Sequence, residues 1–162
     1  MKISEILDVR AILPDIESDK SKEEILKILV NLVCQVYKGI NGKDEIVKTL
    51  IEREKLKSTG IEDGLAIPHG KFPKLQNMIA AFGRSEKGVD FNSMDGKPTH
   101  FLVLILAPER ASSIHLKSLA RISRMFKDKE FRNKLLVTSD PEQIYKIFLD
   151  QELKNNNLSR II

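Results

Sequence analysis

The sequence has one cysteine, Cys34, no tryptophan and three histidines among its 162 residues. A single cysteine cannot form an internal disulfide and has no neighbouring cysteine with which to build a thiolate metal site. Cys34 also lies within the apolar helical pattern of residues 25–36, which indicates a small residue in or near the core. The three histidines, His69, His100 and His115, are the residues that could support imidazole chemistry.

Long apolar segments are also missing. The longest, FLVLILA at residues 101–107, has the length of a buried strand and falls well short of the roughly 18 residues of a membrane helix. The N-terminal segment MKISEILDVR places charges inside its apolar pattern and has no small-residue cleavage site, unlike a signal peptide. These absences predict a cytoplasmic protein that does not insert into a membrane.

The formal net charge of +4 is spread over the chain, and basic residues stand beside acidic ones, as in SKEEILK and MFKDKEFRNK. No long basic run occurs, and aromatic residues are not interleaved with basic ones as in binders of single strands. We interpret the charge as a solvated surface and expect no nucleic-acid partner. A basic nucleic-acid-binding module is the remote alternative.

Apolar residues recur at helical spacing in five segments, and we predict helices at residues 21–37, 43–55, 112–127, 129–136 and 141–150. Shorter segments predict a helix or turn at 2–8, and strands at 11–16, 65–70, 77–83 and 101–107, the first at a sheet edge because it contains a proline. This order predicts one α/β domain over residues 1–150, with helices covering a sheet, and a frayed tail at 151–162.

His69 is the first candidate for chemistry because of its neighbours Pro68 and Gly70. The proline fixes a backbone torsion just before the imidazole, and the glycine lets the main chain approach a ligand just after it. A neutral imidazole on a stiff turn is a reasonable nucleophile at neutral pH. The alternative is a turn histidine that bonds a carbonyl.

Two further residues stand out, His115 and Arg53. His115 lies in the first turn of a predicted helix capped by Ser112 or Ser113, where free N–H groups favour an anion. It also shares an apolar helix face, so the alternative is a core histidine. Arg53 continues an inward stripe near a helix end, where it either caps carbonyls or offers a forked donor to a phosphate. His100 has no supporting pattern and is interpreted as structural or exposed.

The motifs of several enzyme classes are absent. No Cys, Asp or Glu stands at metal-ligand spacing to His69 or His115, no glycine-rich nucleotide loop occurs, and no nucleophile elbow is found. We therefore expect neither a metal nor a cofactor.

A set of motifs resembles the type-2 EIIA domain (fructose/mannitol class) of the bacterial sugar phosphotransferase system. It consists of Arg53-Glu54, Ser58-Thr59-Gly60-Ile61, GLAIPHGK at residues 64–71, and His115-Leu116 at a helix start. The block TGIxxGxAIPHG is highly specific, and the resemblance extends over about residues 3–150.

The resemblance implies an α/β sandwich with a mixed sheet flanked by helices on both faces. It further implies that phospho-HPr phosphorylates His69, on Nε2, that His115 and Arg53 line the same site, and that the phosphoryl group passes to an EIIB domain in sugar transporters. Glu62-Asp63 replaces the Gly-Asn or similar pair usual in the family. We expect these two carboxylates to face solvent, because they would oppose the charge of a phosphoryl group if they pointed inward.

Two functions use the same chemistry. One is a stand-alone regulator of the nitrogen-related EIIA kind, whose phosphorylation state controls its binding to a target protein. The other is a sugar-specific EIIA that feeds a permease. The chain carries no EIIB or EIIC segment and has a short N-terminal extension, which favours the regulator as the expectation.

Overall fold

The computed structural model describes residues 2–161, with side chains described for residues 2–158. The described helices are α1 (Ile3–Ile6), α2 (Lys22–Val36), α3 (Lys43–Leu56), α4 (Ser112–Met125), α5 (Lys129–Leu136) and α6 (Pro141–Ile161). The described strands are β1 (Leu7–Leu13), β2 (Leu65–Ala66), β3 (His69–Phe72), β4 (Ile79–Val89) and β5 (Thr99–Pro108). The helix predictions at 21–37, 43–55, 112–127 and 129–136 are confirmed to within about two residues at each end.

The five strands form one mixed sheet in the order β1-β4-β5-β2. Strand β3 also pairs with β5, at residues 105–108, whereas β2 pairs with residues 101–102. The β4–β5 pair is antiparallel, whereas β1 is parallel to β4, and β2 and β3 are parallel to β5. Strand β5 therefore has partners on both sides, which explains why its sequence is apolar throughout. The strand that ends before Pro14 lies at an edge, as the proline predicted.

Helices cover both faces of the sheet, as two adjacent residues of β4 illustrate. The Phe82 ring contacts Phe148 of α6 edge to face, with 5.0 Å between centroids. A Cβ added to Gly83 would instead overlap Ile16 and contact Leu29 of α2. Because successive strand residues point to opposite faces, α6 and α2 lie on opposite sides of the sheet. The predicted α/β sandwich is confirmed.

Several strand boundaries differ from the prediction. The segment predicted as one strand at 65–70 forms two, β2 and β3, with Ile67 and Pro68 between them. The first strand begins at Leu7, four residues before the predicted start, and α1 leads directly into it. Strand β4, predicted at 77–83, continues through polar residues to Val89, because antiparallel pairing with β5 resumes after an irregularity between Arg84 and Val89. Main-chain pairing with a distant strand thus extends β1 and β4 beyond their apolar patterns.

The prediction that the last helix ends at residue 150 is wrong, because α6 continues to Ile161. The buried Glu152 carboxylate accepts hydrogen bonds from the Ser4 N–H (2.9 Å) and hydroxyl (2.7 Å). Gln151 donates to Asp128 at 3.1 Å. Partners on α1 and α5's N-cap thus hold a segment whose own sequence is polar. None of the helices in the described part of the chain combines the length and apolarity needed to cross a membrane.

We predict that Glu152→Ala lowers the free energy of unfolding by about 1–3 kcal/mol, because the half-buried amide and hydroxyl of Ser4 lose their acceptor. Urea denaturation provides the measurement. Asp150→Ala, which changes an exposed carboxylate on the same helix, is the matched control and should stay within about 0.5 kcal/mol of the parent. Equal losses for the two variants would contradict a role for Glu152 in holding the terminal helix.

Candidate functional site

Strand β3 places His69 at the end of the sheet beside β5. His69 lies opposite Ile105, whose N–H donates to the Pro68 carbonyl at 3.0 Å. This pairing fixes the backbone on which the half-buried imidazole stands. The adjacent Gly70 faces the other way, where an added Cβ would come within 3.0 Å of the Phe72 ring and 3.5 Å of Leu50. Gly70 therefore serves packing against α3 at least as much as ligand access.

A short hydrogen bond determines the tautomer of His69. Its Nδ1 lies 2.6 Å from the carbonyl oxygen of Ile67. A carbonyl only accepts, so Nδ1 carries the hydrogen and the lone pair is on Nε2. Burial lowers the pKa of His69 below its usual value, and this outweighs the Ile67 bond, which raises it. The ring is thus neutral at pH 7, with Nε2 as its basic atom. The alternative of a turn histidine that bonds a carbonyl describes Nδ1 but leaves Nε2 available for chemistry.

His115 lies beside it, with 5.3 Å between the two ring centroids and 51° between their planes. The residue is 5% exposed, and its Nδ1 has no protein partner among the described residues. Burial, with smaller contributions from the neighbouring His69 and Lys71, lowers the pKa of His115 to about 4. The prediction that His115 points away from bulk solvent is confirmed.

The start of α4 differs from the prediction that Ser112 or Ser113 caps it. The N-cap is Ala111, without a side-chain cap, and its carbonyl accepts the N–H of His115 at 2.9 Å. The Ser112 hydroxyl accepts from Lys71 Nζ at 3.0 Å instead. The first three N–H groups of the helix therefore lack an intrahelical acceptor, with a lysine beside them, which favours an anion there.

The structure shows the capping alternative for Arg53. Its Nη1 donates to the carbonyl of Lys57 at 2.8 Å, so it caps the end of α3. The guanidinium is also close enough for its charge to lower the pKa of His69, after the larger effects of burial and of the Ile67 bond. The site thus contains the two imidazoles and, around them, positive charge from Arg53 and Lys71.

Sequence reasoning missed a buried carboxylate, Glu54, on α3. Its side chain is 4% exposed and accepts from Lys22 Nζ at 2.8 Å and from the Thr59 N–H at 3.0 Å. The Thr59 hydroxyl also donates to it. Glu54 follows Leu50 by four residues and Val47 by seven, so its place on the buried face was readable from the helical period.

The side chains of Glu62 and Asp63 are exposed to solvent, as expected. Glu62 Oε1 lies 4.0 Å from Lys127 Nζ, and Asp63 Oδ2 lies 3.7 Å from Arg132 Nη1. Asp63 and Gly64 have φ values of 61° and 74°, so two left-handed residues form the turn. The unusual pair therefore changes the outer surface of the loop, and its cations lie on the segment from α4 to α5.

The remaining candidates have structural roles. His100 Nδ1 lies 2.9 Å from the Ser85 carbonyl, and the imidazole packs against Gly64 and Gly88. Cys34 is half-buried against the core, and burial raises the pKa of its thiol. Within residues 2–161, His, Cys, Asp and Glu form no group of three that could hold a metal ion.

Comparison with known proteins places this site in context. The family model "Phosphoenolpyruvate-dependent sugar phosphotransferase system, EIIA 2" matches residues 5–151. A nitrogen regulatory protein of Bradyrhizobium diazoefficiens is 36% identical over 149 residues, covering 91% of this chain and 94% of that protein. The fructose-specific EIIABC component of Bacillus subtilis is 38% identical over 147 residues, and this chain spans 23% of its length.

A solved structure gives the same result in three dimensions. The nitrogen regulatory protein IIA-Ntr from Neisseria meningitidis superposes with a TM-score of 0.83 at 32% identity. The match covers 90% of this chain and 98% of that one. The architecture and the sequence thus match the same group of proteins.

The lowered pKa of His115 predicts a specific pH dependence of stability. Between pH 6.5 and about 4 the unfolded chain binds a proton at this residue and the folded chain does not, so stability falls as the pH falls through this window. From pH 7 to pH 5 the parent should lose about 2 kcal/mol more of its free energy of unfolding than His115→Gln does. Urea titrations at the two pH values measure the difference. Parallel losses would mean that folded His115 takes up the proton.

Proposed function

Since this chain belongs to the type-2 EIIA family of the phosphoenolpyruvate-dependent sugar phosphotransferase system, we propose that it is a phosphoryl carrier that forms phosphohistidine at Nε2 of His69. Phospho-HPr, or a paralogue of it, is the proposed donor. The observation that carries the proposal is the 2.6 Å bond from Nδ1 to the Ile67 carbonyl, which leaves Nε2 as the nucleophile of a neutral imidazole.

The transfer step needs little covalent help from the protein. The lone pair of Nε2 attacks the phosphorus of the donor phosphohistidine, and a phosphorus–nitrogen bond forms as the donor's bond breaks. The donor imidazole leaves neutral if its second nitrogen holds a proton, and the positive charge moves to the His69 ring. The proton stays on Nδ1 throughout and keeps its hydrogen bond to the Ile67 carbonyl. Positioning and charge stabilisation then account for catalysis, and no cofactor is invoked.

Several groups near His69 are suited to hold a phosphoryl group. Arg53 and Lys71 supply charge, His115 supplies an uncharged ring, and the first turn of α4 supplies N–H groups. Hydrogen bonds to a charged group contribute about 1.5–3 kcal/mol each, or about ten- to a hundredfold in rate if they form in the transition state. Neutral imidazoles at both positions also avoid a charge that would have to be lost before attack.

Apolar side chains on the same two helices support transient docking of a partner. Ile114 and Leu116 flank His115 and are 44% and 66% exposed, and Leu56, at the end of α3, is 85% exposed. Such residues fit a flat protein surface that brings a phosphohistidine to His69 and then leaves. The proposed acceptor is an EIIB domain or a regulatory target protein, docking on this same surface.

We favour the regulatory form of this function. The similarity to the nitrogen regulatory proteins of B. diazoefficiens and N. meningitidis, in sequence and in structure, supports it. The sugar-specific alternative is supported by the 38% identity to a fructose-specific component. In both cases the chemistry at His69 is the same.

The phosphoacceptor assignment predicts that His69→Gln abolishes phosphate uptake from phosphoenolpyruvate, enzyme I and HPr, while His100→Gln labels at the parent rate. Arg53→Gln should slow uptake about ten- to a hundredfold. Its melting temperature should fall only slightly, because it loses one cap to Lys57. Intact mass spectrometry at neutral pH follows the added phosphate. Equal labelling of His69→Gln and the parent would refute the assignment.

The choice between regulation and transport predicts different acceptors. If the chain is a regulator, its phosphorylated form should keep the phosphate when mixed with a purified fructose-type EIIB domain, over a time in which a fructose-specific EIIA transfers it completely. Transfer at the rate of that matched EIIA would favour the transport alternative. Decay of the phosphorylated mass provides the readout.

A further inference from the structure

The buried carboxylate of Glu54 is bonded by Lys22 of α2 and by Thr59, which lies in the loop between α3 and β2. Its Oε2 accepts from Lys22 Nζ at 2.8 Å and from the Thr59 N–H at 3.0 Å, and its Oε1 accepts the Thr59 hydroxyl. Lys22 Nζ also donates to the Ser58 hydroxyl at 3.1 Å. A buried ion pair rarely stabilises a fold more than apolar side chains of similar volume, so its benefit is better sought in positioning.

A continuous series of hydrogen bonds leads from Glu54 to the imidazole of His69. The Thr59 carbonyl accepts the N–H of Ile67 at 3.1 Å, and the Ile67 carbonyl lies 2.6 Å from His69 Nδ1. The N–H of Ile61 donates to Leu65 at 2.8 Å, so residues 59–61 and 65–67 are held as a small antiparallel pair. Within this pair, Thr59 is the residue that donates hydrogen bonds to the Glu54 carboxylate.

The same contacts determine what is left for Arg53. Because Lys22 and Thr59 engage the Glu54 carboxylate, the adjacent guanidinium is not neutralised by it. Among the described residues, Arg53 bonds one backbone carbonyl and no carboxylate. At His69 the two charges act in opposite directions: Arg53 lowers the pKa of the imidazole, and Glu54 raises it by less.

We propose that Glu54 is a positioning residue for the phosphoacceptor: through Thr59 and Ile67 it holds His69 as the tautomer with hydrogen on Nδ1 and the lone pair on Nε2. This inference rests on the proposed function only in naming His69 as the phosphoacceptor. The tautomer itself is a property of the protein alone, and it is measurable without any donor.

The test combines Glu54→Gln with ¹⁵N NMR of the imidazoles and with phosphate uptake from phospho-HPr. Glutamine keeps the size but removes the charge that pairs with Lys22, and its amide nitrogen, in place of Oε1, cannot accept from the Thr59 hydroxyl. We expect the fraction of His69 with hydrogen on Nδ1 to fall. We also expect phosphate uptake to slow by about tenfold, which corresponds to the loss of one hydrogen bond that positions the imidazole. Glu52→Gln, an exposed change on the same helix, is the matched control and should leave both unchanged.

Two more variants separate positioning from stability. Lys22→Met with Glu54→Gln removes the unpaired lysine, so we expect the melting temperature to recover toward the parent while the tautomer and the uptake rate stay altered. Thr59→Val keeps the ion pair and the fold but removes the hydroxyl donor, and it should shift the tautomer in the same direction by a smaller amount.

A folded Glu54→Gln or double variant with the parent's ¹⁵N spectrum would overturn the proposal, as would a Thr59→Val protein that matches the parent in both measurements. Failure of the proposed function appears differently. In that case the parent itself takes up no phosphate at His69, although the tautomer still responds to Glu54.

Discussion

The site depends on one hydrogen bond, between Nδ1 of His69 and the carbonyl of Ile67. Without it, an imidazole exchanges its proton between two nitrogens, and either one is the nucleophile part of the time. With it, the reactive atom is defined before a partner arrives. The surrounding structure, from the pairing of β3 with β5 to the grip of Glu54 on Thr59, keeps donor and acceptor within this distance.

Around this bond the site combines neutral imidazoles with positively charged side chains. Burial lowers the pKa of both imidazoles and keeps them neutral, and at His115 the neighbouring His69 and Lys71 act in the same direction as burial. The positive charges around them belong to Arg53 and Lys71. An anionic group thus meets positive charge that is already in place, while the nucleophile needs no deprotonation.

Local signals made much of the fold predictable from the sequence, including four helices and the buried strand β5. The specific block around His69 identified the phosphoacceptor candidate, although its segment forms two short strands rather than one. What was missed depends on distant partners. The extension of α6 rests on Ser4, some 148 positions away, and the role of Glu54 rests on Lys22, 32 positions away. The cap of α4 was also mistaken, because Ser112 bonds Lys71 rather than its own helix.

The short link between β5 and α4 has a consequence for sequence divergence. Lys71 lies opposite Ala107 and Phe72 opposite Pro108, and after residues 109–111 the helix that bears His115 begins. The end of β5 therefore fixes the positions of both imidazoles, that of His69 through β3 and that of His115 through α4. One residue inserted between Ser112 and His115 would turn the second ring by about 100° around the helix axis and away from the first. Loops elsewhere on this fold can lengthen during evolution, but this stretch is expected to tolerate substitutions and almost no change of length.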